Sequence, residues 1–419
     1  MLSQQDIAIA ALGVLLLAGG LLAGLGRRSF LSLTALFVLA GFALGPGGSG
    51  LLVIDPESSF VEVLAVVALV VILFRDGLEV EEEMLRGAWH LPLRKLVVAM
   101  PVTGAIVAVA AHALTDLGWT ESFLLGALLS PTDPVLSSSV VTNPRVPRLV
   151  RHSLNLESGM NDGLALPAVL ALLAALGGAA GEGEFVWWRF VLQDVSLGLG
   201  YGVLMGWVGS RLMPRGSGLD ERFPTHDKAL YALGIAFATY GVAVLPPHGN
   251  GLIATFVCAI VLGILRPDLR EAFEARSSEI VEIVKLGIFV VFGALLTLGG
   301  LAGEGWAGPL IVAILLFVAR PVAIFASLAG TDSDWRTRAF MGWFGPKGVA
   351  TMAFSLLVLA AGIPDGGRIF QLAALAVFCS ILLHGTTDTA GAEWIGRHAE
   401  RAERERATTA LKPGAHTVD

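Results

Sequence analysis

Residues 128–170 read LLSPTDPVLSSSVVTNPRVPRLVRHSLNLESGMNDGLALPAVL. Thr132 and Asp133 fall in one apolar segment, and Glu157, Ser158, Asn161 and Asp162 fall in the next. Each segment is apolar enough to lie in a bilayer, where an ionised side chain costs several kcal/mol unless it is paired, hydrated or used. A carboxylate retained at that cost points to a site that binds and releases charge.

The rest of the chain supplies the bilayer. Of its 419 residues 55% are hydrophobic and 15% charged, and mean hydropathy is +0.74. A soluble domain of this length would carry roughly 25% charge. The composition implies an all-α polytopic membrane protein. The net charge of −7 is spread over loops, and no Lys/Arg-rich face suggests nucleic acid. Cys258 and Cys379 each sit in an apolar run, which suits packing rather than a disulfide framework or a metal cluster. No cofactor motif is present, and membrane lipid is the expected surrounding. The N-terminal stretch lacks a basic region and a clear cleavage site, so it reads as a retained first span.

About 20 apolar residues cross a bilayer core of about 30 Å. That ruler gives thirteen spans, at roughly 6–25, 29–45, 60–75, 92–114, 121–141, 152–176, 190–213, 228–246, 250–265, 279–301, 306–330, 335–361 and 366–388. Loops after odd-numbered spans, with the tail, hold 23 of the 28 Lys+Arg, counting Arg75 and Lys95 in the third loop. The opposite loops hold Arg189 and Arg368, and Lys285, Arg320 and Lys347 lie within spans. The positive-inside rule therefore places the N-terminus outside and the C-terminus in the cytoplasm, in a cell membrane. The expected domains are a transmembrane unit over 1–391 and a charged cytoplasmic tail over 392–419.

Two spans should be broken. In the fifth, Pro131 and Pro134 flank Thr132 and Asp133, removing backbone donors and blocking a continuous helix. A proline kink is the bland reading, but a kink has no need of an intramembrane acid. In the twelfth, Gly345, Pro346 and Gly348 flank Lys347, the same pattern with opposite charge. With the seventh span as linker, the two breaks occupy corresponding positions in two inverted six-helix repeats. If they cross, Asp133 balances exposed half-helix N-termini and Lys347 the exposed C-termini. Snorkelling of Lys347 to an interface is the alternative.

In the sixth span, Ser158 shares a helix face with Asn161 and Asp162, at spacings of three and four. A carboxylate, a hydroxyl, an amide and freed carbonyls suit a hard monovalent cation, with too few acids for a calcium cage. Arg320, embedded in LLFVARPVAIF, is the most economical partner for Glu157, and a purely structural pair is expected. Asp162 is then left unpaired and able to bind a proton or a cation.

SPTDPV, ESGMNDG, ARPV and GPKG, in this order and in these spans, resemble the monovalent cation:proton antiporters related to the sodium/hydrogen exchangers. The resemblance covers nearly the whole chain. It implies thirteen helices in two inverted six-helix repeats with crossed broken helices, a homodimer, and a mobile core domain. It implies Asp162 as carrier carboxylate, with Thr132, Asp133 and Ser158 helping to hold the ion, Asn161 supporting the site, and Glu157 paired to Arg320. A single aspartate preceded by Asn resembles the electroneutral branch. One departure stands in the third span, LFRDGLEV, where many relatives have LFEGGL: Arg75 occupies the usual acid position and Asp76 follows it.

The function expected is therefore exchange of Na+, with K+ and Li+ as alternatives, for protons by alternating access, and not enzymatic chemistry. A channel would need a continuous polar path, whereas the acids cluster at one depth. An intramembrane aspartyl protease built on Asp133 and Asp162 leaves Asn161, Glu157 and Arg320 without a role. Glu79, Glu81, Glu82 and Glu83 read as a solvated acidic loop, His152 as a loop histidine, and Glu282 with Lys285 as a local pair. The Gly-rich GLGYG of 198–202 suits close helix packing.

Overall fold

The computed structural model describes residues 33–80, 90–133, 143–177, 187–214 and 223–410, together with residues 10, 13, 14, 17 and 140. All of the expected first span but residues 10, 13, 14 and 17, together with Pro134, the acids Glu81, Glu82 and Glu83 and the final nine residues, lies outside this set. Regular structure among the described residues is entirely helical. In chain order the helices are α1 (Leu33–Leu44), α2 (Ser59–Leu78), α3 (His90–Leu114), α4 (Trp119–Leu129), α5 (Arg148–Ala175), α6 (Phe190–Leu212) and α7 (Thr225–Ala243). They continue as α8 (Gly251–Leu265), α9 (Pro267–Arg276), α10 (Ser278–Ala294), α11 (Ala307–Ser327), α12 (Trp335–Trp343), α13 (Val349–Ala360) and α14 (Gly366–Ala410).

Helices α3, α5, α6, α11 and α14 each contain an uninterrupted apolar stretch long enough to cross a membrane, and α4 and α13 are shorter apolar helices. The ninth expected span bends by 114° after Leu265 into α9, whose polar sequence PDLREAFEAR suits an interface. Expected to reach residue 301, the tenth span ends at Ala294, and a single turn at Leu298–Leu301 follows, capped by Thr297 Oγ1. The last helix runs 45 residues without interruption, past 388 and into the expected tail. At 1.5 Å per residue that is about 68 Å, more than twice the hydrocarbon thickness, so its charged end stands clear of the bilayer.

At the centre is α2, whose residues 68–74 are all at most 2% exposed. A helix buried all round belongs in the middle of a bundle, and α2 packs on α5, α8, α10 and α13. The glycine stripe of α6 (Gly198, Gly202 and Gly206) lies against backbone carbonyls of Asn250, Ala254 and Cys258 on α8, at 2.6–3.0 Å from where a Cβ would stand. Only residues without a Cβ permit that approach.

Two further helices share an internal signature. Leu96-Val-Val-Ala-Met-Pro-Val102 in α3 and Leu316-Phe-Val-Ala-Arg-Pro-Val322 in α11 match at five of seven positions. Both overlap π-helical turns, at Lys95–Ala99 and Leu315–Ala319, which occupy equivalent places in the two sequences. An i→i+5 turn inside a helix re-aims the side chains beside it and is frequent at functional sites.

Candidate functional site

The two interrupted stretches meet. Helix α4 ends at Leu129 and α12 at Trp343, residues 131–133 and 344–348 are not helical, and α13 starts at Val349. The Asp133 amide donates to Pro346 O at 2.8 Å. Asp133 Oδ2 accepts from Val349 N at 3.4 Å, at the exposed N-terminus of α13. From the other side, Lys347 Nζ donates to Pro131 O at 2.9 Å and Ser130 O at 3.3 Å, at the C-terminal end of α4. Each charge thus faces the half-helix end of opposite polarity, as broken helices inside a membrane protein require of their orphan backbone groups. Lys347 is 1% exposed, which removes the snorkelling alternative. Glycine is needed at this crossing: a Cβ on Gly348 would overlap Asp133, and one on Gly345 would overlap the Arg320 guanidinium.

Helix α5 carries the remaining groups. Asn161 Nδ2 donates to Thr132 O at 2.8 Å and to Thr132 Oγ1 at 3.0 Å, which ties α5 to the first break. Asn161 Oδ1 is buried and accepts no hydrogen bond among the described residues. Ser158, one turn before Asp162, is half-buried.

Glu157 has two partners rather than one. Arg320 Nη1 donates to Glu157 Oε1 at 2.6 Å, and Lys95 Nζ donates to Glu157 Oε2 at 2.7 Å. Lys95 also donates to Ser153 O at 2.8 Å, and it is fully buried. Lys95, expected in a loop, sits instead on the π-helical turn of α3, and Arg320 follows the equivalent turn of α11. The signal that could have found it was the repeated VAxPV sequence, because two matching helices that bring one arginine inward can bring a second cation as well.

Asp162 is not solitary. The end of α2 packs on α5 where Gly159 stands, with Asp76 O at 3.5 Å from where a Cβ would be. Asp76 and Asp162 come within hydrogen-bonding range side chain to side chain. Both are buried, 2% and 5% exposed. Two carboxyl groups in that relation repel unless a proton or a cation lies between them. Arg75 Nη2 and Nε donate to Asp76 Oδ1 at 2.6 and 2.9 Å and hold it in place. The third span, whose LFRDGL departs from the usual LFEGGL, thus brings an acid, Asp76, to the end of α2 that packs on α5. Lys285, 9% exposed, adds a buried positive charge to these surroundings, where the charges of Asp133, Asp76 and Glu282 attract it and that of Arg75 opposes it. A cavity of about 360 Å³ lined by Arg75, Glu79, Phe273, Glu274 and Val281 opens beside this cluster.

Outside the spans, two ion-pair groups fasten the connections. Arg368 donates to Glu304, Asp365 and Asp116, drawing three connecting segments together. Arg266, 2% exposed, donates to Asp268 at 2.8 Å through both Nε and Nη2, and to Met213 O and Ser210 O. The hydrogen bonds from Arg266 hold the Asp268 carboxyl below its ordinary range, against partial burial, which acts to raise it.

Comparison with known proteins places this geometry among others. The family described as sodium/hydrogen exchanger, transmembrane, matches residues 12–392. A K(+)/H(+) antiporter NhaP2 of Shewanella sp. (strain MR-4) is 27% identical over 379 residues, covering 89% of this chain and 64% of that protein. A K(+)/H(+) antiporter NhaP of Alkalimonas amylolytica is 26% identical over 404 residues, covering 93% of this chain and 67% of that protein. The chain thus spans slightly under two thirds of the first of these relatives. In structure it is similar to the sodium proton antiporter MjNhaP1 from Methanocaldococcus jannaschii at pH 8, with a TM-score of 0.78, 20% identity, and coverage of 94% of this chain and all of that one. That likeness is one of fold.

Proposed function

The chain belongs to the sodium/hydrogen exchanger family, and we propose on that premise that it exchanges a monovalent cation for protons across a cell membrane by alternating access. The family is one of transporters rather than enzymes, so the aspartyl-protease alternative is set aside. The observation that carries the proposal is the meeting of Asp162 with Asp76, next to the crossing of the two breaks. A proton or a cation satisfies this pair, and each excludes the other, so exchange follows from competition for one place.

In this reading Asp162 is the carrier carboxylate, and Asp76 is a second acid held in place by Arg75. Thr132, Asp133 and Ser158 help to hold the cation, with Asn161 tying Thr132 to α5 and offering Oδ1. Glu157 with Arg320 and Lys95, and Lys347 with the end of α4, are structural and keep the crossing in register. One proton replaced by one cation leaves the pair's charge unchanged, which makes the exchange electroneutral. The equivalent π-helical turns of α3 and α11 and the paired breaks support two inverted six-helix repeats within thirteen spans. A homodimer, an external N-terminus and a cytoplasmic C-terminus belong to the same proposal, the orientation resting on the Lys/Arg distribution.

The test is proteoliposomes loaded with a pH-sensitive dye and challenged with Na+, K+ and Li+ in turn, with and without an imposed membrane potential. Cation-driven proton movement that is indifferent to the potential is expected. Movement with none of the three ions would overturn the proposal.

A further inference from the structure

His384 lies on α14, in a span the ion chemistry has not used, and is 2% exposed. Its ring touches the start of the second break directly and reaches the far end through Ser380. Nε2 is 2.7 Å from Trp343 O, the last residue of α12. Nδ1 is 3.2 Å from Ser380 Oγ and 2.7 Å from Ser380 O. Ser380 Oγ in turn accepts the Lys347 amide at 2.9 Å. A hydrogen-bonded chain therefore runs from the Lys347 amide through the Ser380 hydroxyl to the imidazole and on to the terminal carbonyl of α12. Trp343 O lies past the last intrahelical bond of α12 and also accepts the Gly345 amide at 2.9 Å, so His384 adds a second bond from α14 to the start of the break.

The same face of α14 grips α12 at successive turns. Trp343 Nε1 donates to Thr387 Oγ1 at 2.9 Å. The Trp343 and His384 rings stack, with centroids 5.2 Å apart and planes 27° apart. At Gly391 a Cβ would overlap the Phe344 ring. Positions 380, 384, 387 and 391 recur at helical spacing, so one stripe of α14 fixes the break from beginning to end. What hangs on that break is the Arg320 guanidinium packed against Gly345 and the Lys347 bonds to Pro131 and Ser130.

We propose that His384 is a positioning residue for exchange: it holds residues 344–348, and through them Arg320 and Lys347, in the geometry the ion site requires, without touching the ion. The inference rests on the exchange reading above. Hydrogen bonding at both nitrogens is the essential property, since stacking on Trp343 alone is within reach of any planar ring.

The experiment compares His384→Phe, which keeps the ring and loses both polar contacts, with His384→Gln, which can donate to Trp343 O and accept from Ser380 Oγ. Cation-driven proton flux in proteoliposomes should show His384→Phe with kcat down at least tenfold and KM for the cation within about twofold, and His384→Gln should recover most of the rate. In parallel, amide hydrogen exchange of a peptide covering 344–348 should speed up several-fold in His384→Phe and return towards wild type in His384→Gln. A wild-type rate and unchanged amide exchange in His384→Phe overturn the proposal. So does failure of His384→Gln to restore either quantity. If the unmodified protein moves no protons with any cation, the exchange reading falls, and the amide exchange still decides whether His384 holds the break.

Discussion

Arg320 Nη1 and Glu157 Oε1 meet at 2.6 Å inside the bundle, and the other oxygen of the same carboxylate takes Lys95 Nζ at 2.7 Å. One acid between two buried cations makes the three substitutions unequal. Glu157→Gln leaves two cations facing each other and should cost about 3–5 kcal/mol. Arg320→Ala or Lys95→Ala leaves Glu157 with one partner and should cost less. Thermal unfolding in detergent checks the order, and a smaller loss for Glu157→Gln than for Arg320→Ala contradicts it.

Asp133 and Lys347 face half-helix ends of opposite polarity at a single crossing. Their effects should not add. Asp133→Asn combined with Lys347→Met should be less destabilised than the two single changes together, with a coupling of about 0.5–3 kcal/mol. A double-mutant cycle on unfolding free energy reads this directly. Strict additivity would separate the two residues.

Gly348 leaves no room for a Cβ beside Asp133. Gly348→Ala should therefore push the breaks apart and lower exchange at least tenfold while the protein still assembles into membranes. Gly200 offers the control, since nothing lies within 4 Å of where its Cβ would be. Gly200→Ala with the same loss of flux as Gly348→Ala would defeat the explanation.

Asp268 gives a pH signature outside the spans. Its carboxyl is held below the ordinary range by Arg266, so the stabilisation is fully present above the unfolded pKa and is lost as pH falls through the depressed folded one. Wild type should melt above Asp268→Asn at pH 7, and the two curves should converge in acid, below about pH 4. Asp268 is over a third exposed on its side chain, which limits the difference to about 1 kcal/mol or less. A difference that widens in acid has the wrong sign.

The breaks were legible in the sequence because proline and glycine around a charge leave few other readings, as at Thr132–Asp133 and Lys347. The Glu157–Arg320 contact was legible for a similar reason: an arginine inside a span needs an acid. Lys95 was misread because counting charges by loop treats any basic residue near a span end as solvated, and only its packing on a π-helical turn turns it inward. Asp76 was obscured by its neighbour, since Arg75 at the usual acid position drew attention to a loss and the acid reappears one residue on. His384 gave no sign at all: its role depends on which carbonyls α14 happens to pass, and spacing along the chain does not encode that.

The central claim is that Asp162 carries the exchanged charge, and the most direct measurement is cation-driven dequenching of a pH dye in proteoliposomes holding wild type or Asp162→Asn at matched protein density. The account predicts flux in wild type, none above protein-free liposomes in Asp162→Asn, and an unfolding temperature for the variant no lower than wild type, because removing one of two facing carboxyls relieves repulsion. Full flux in Asp162→Asn would contradict it.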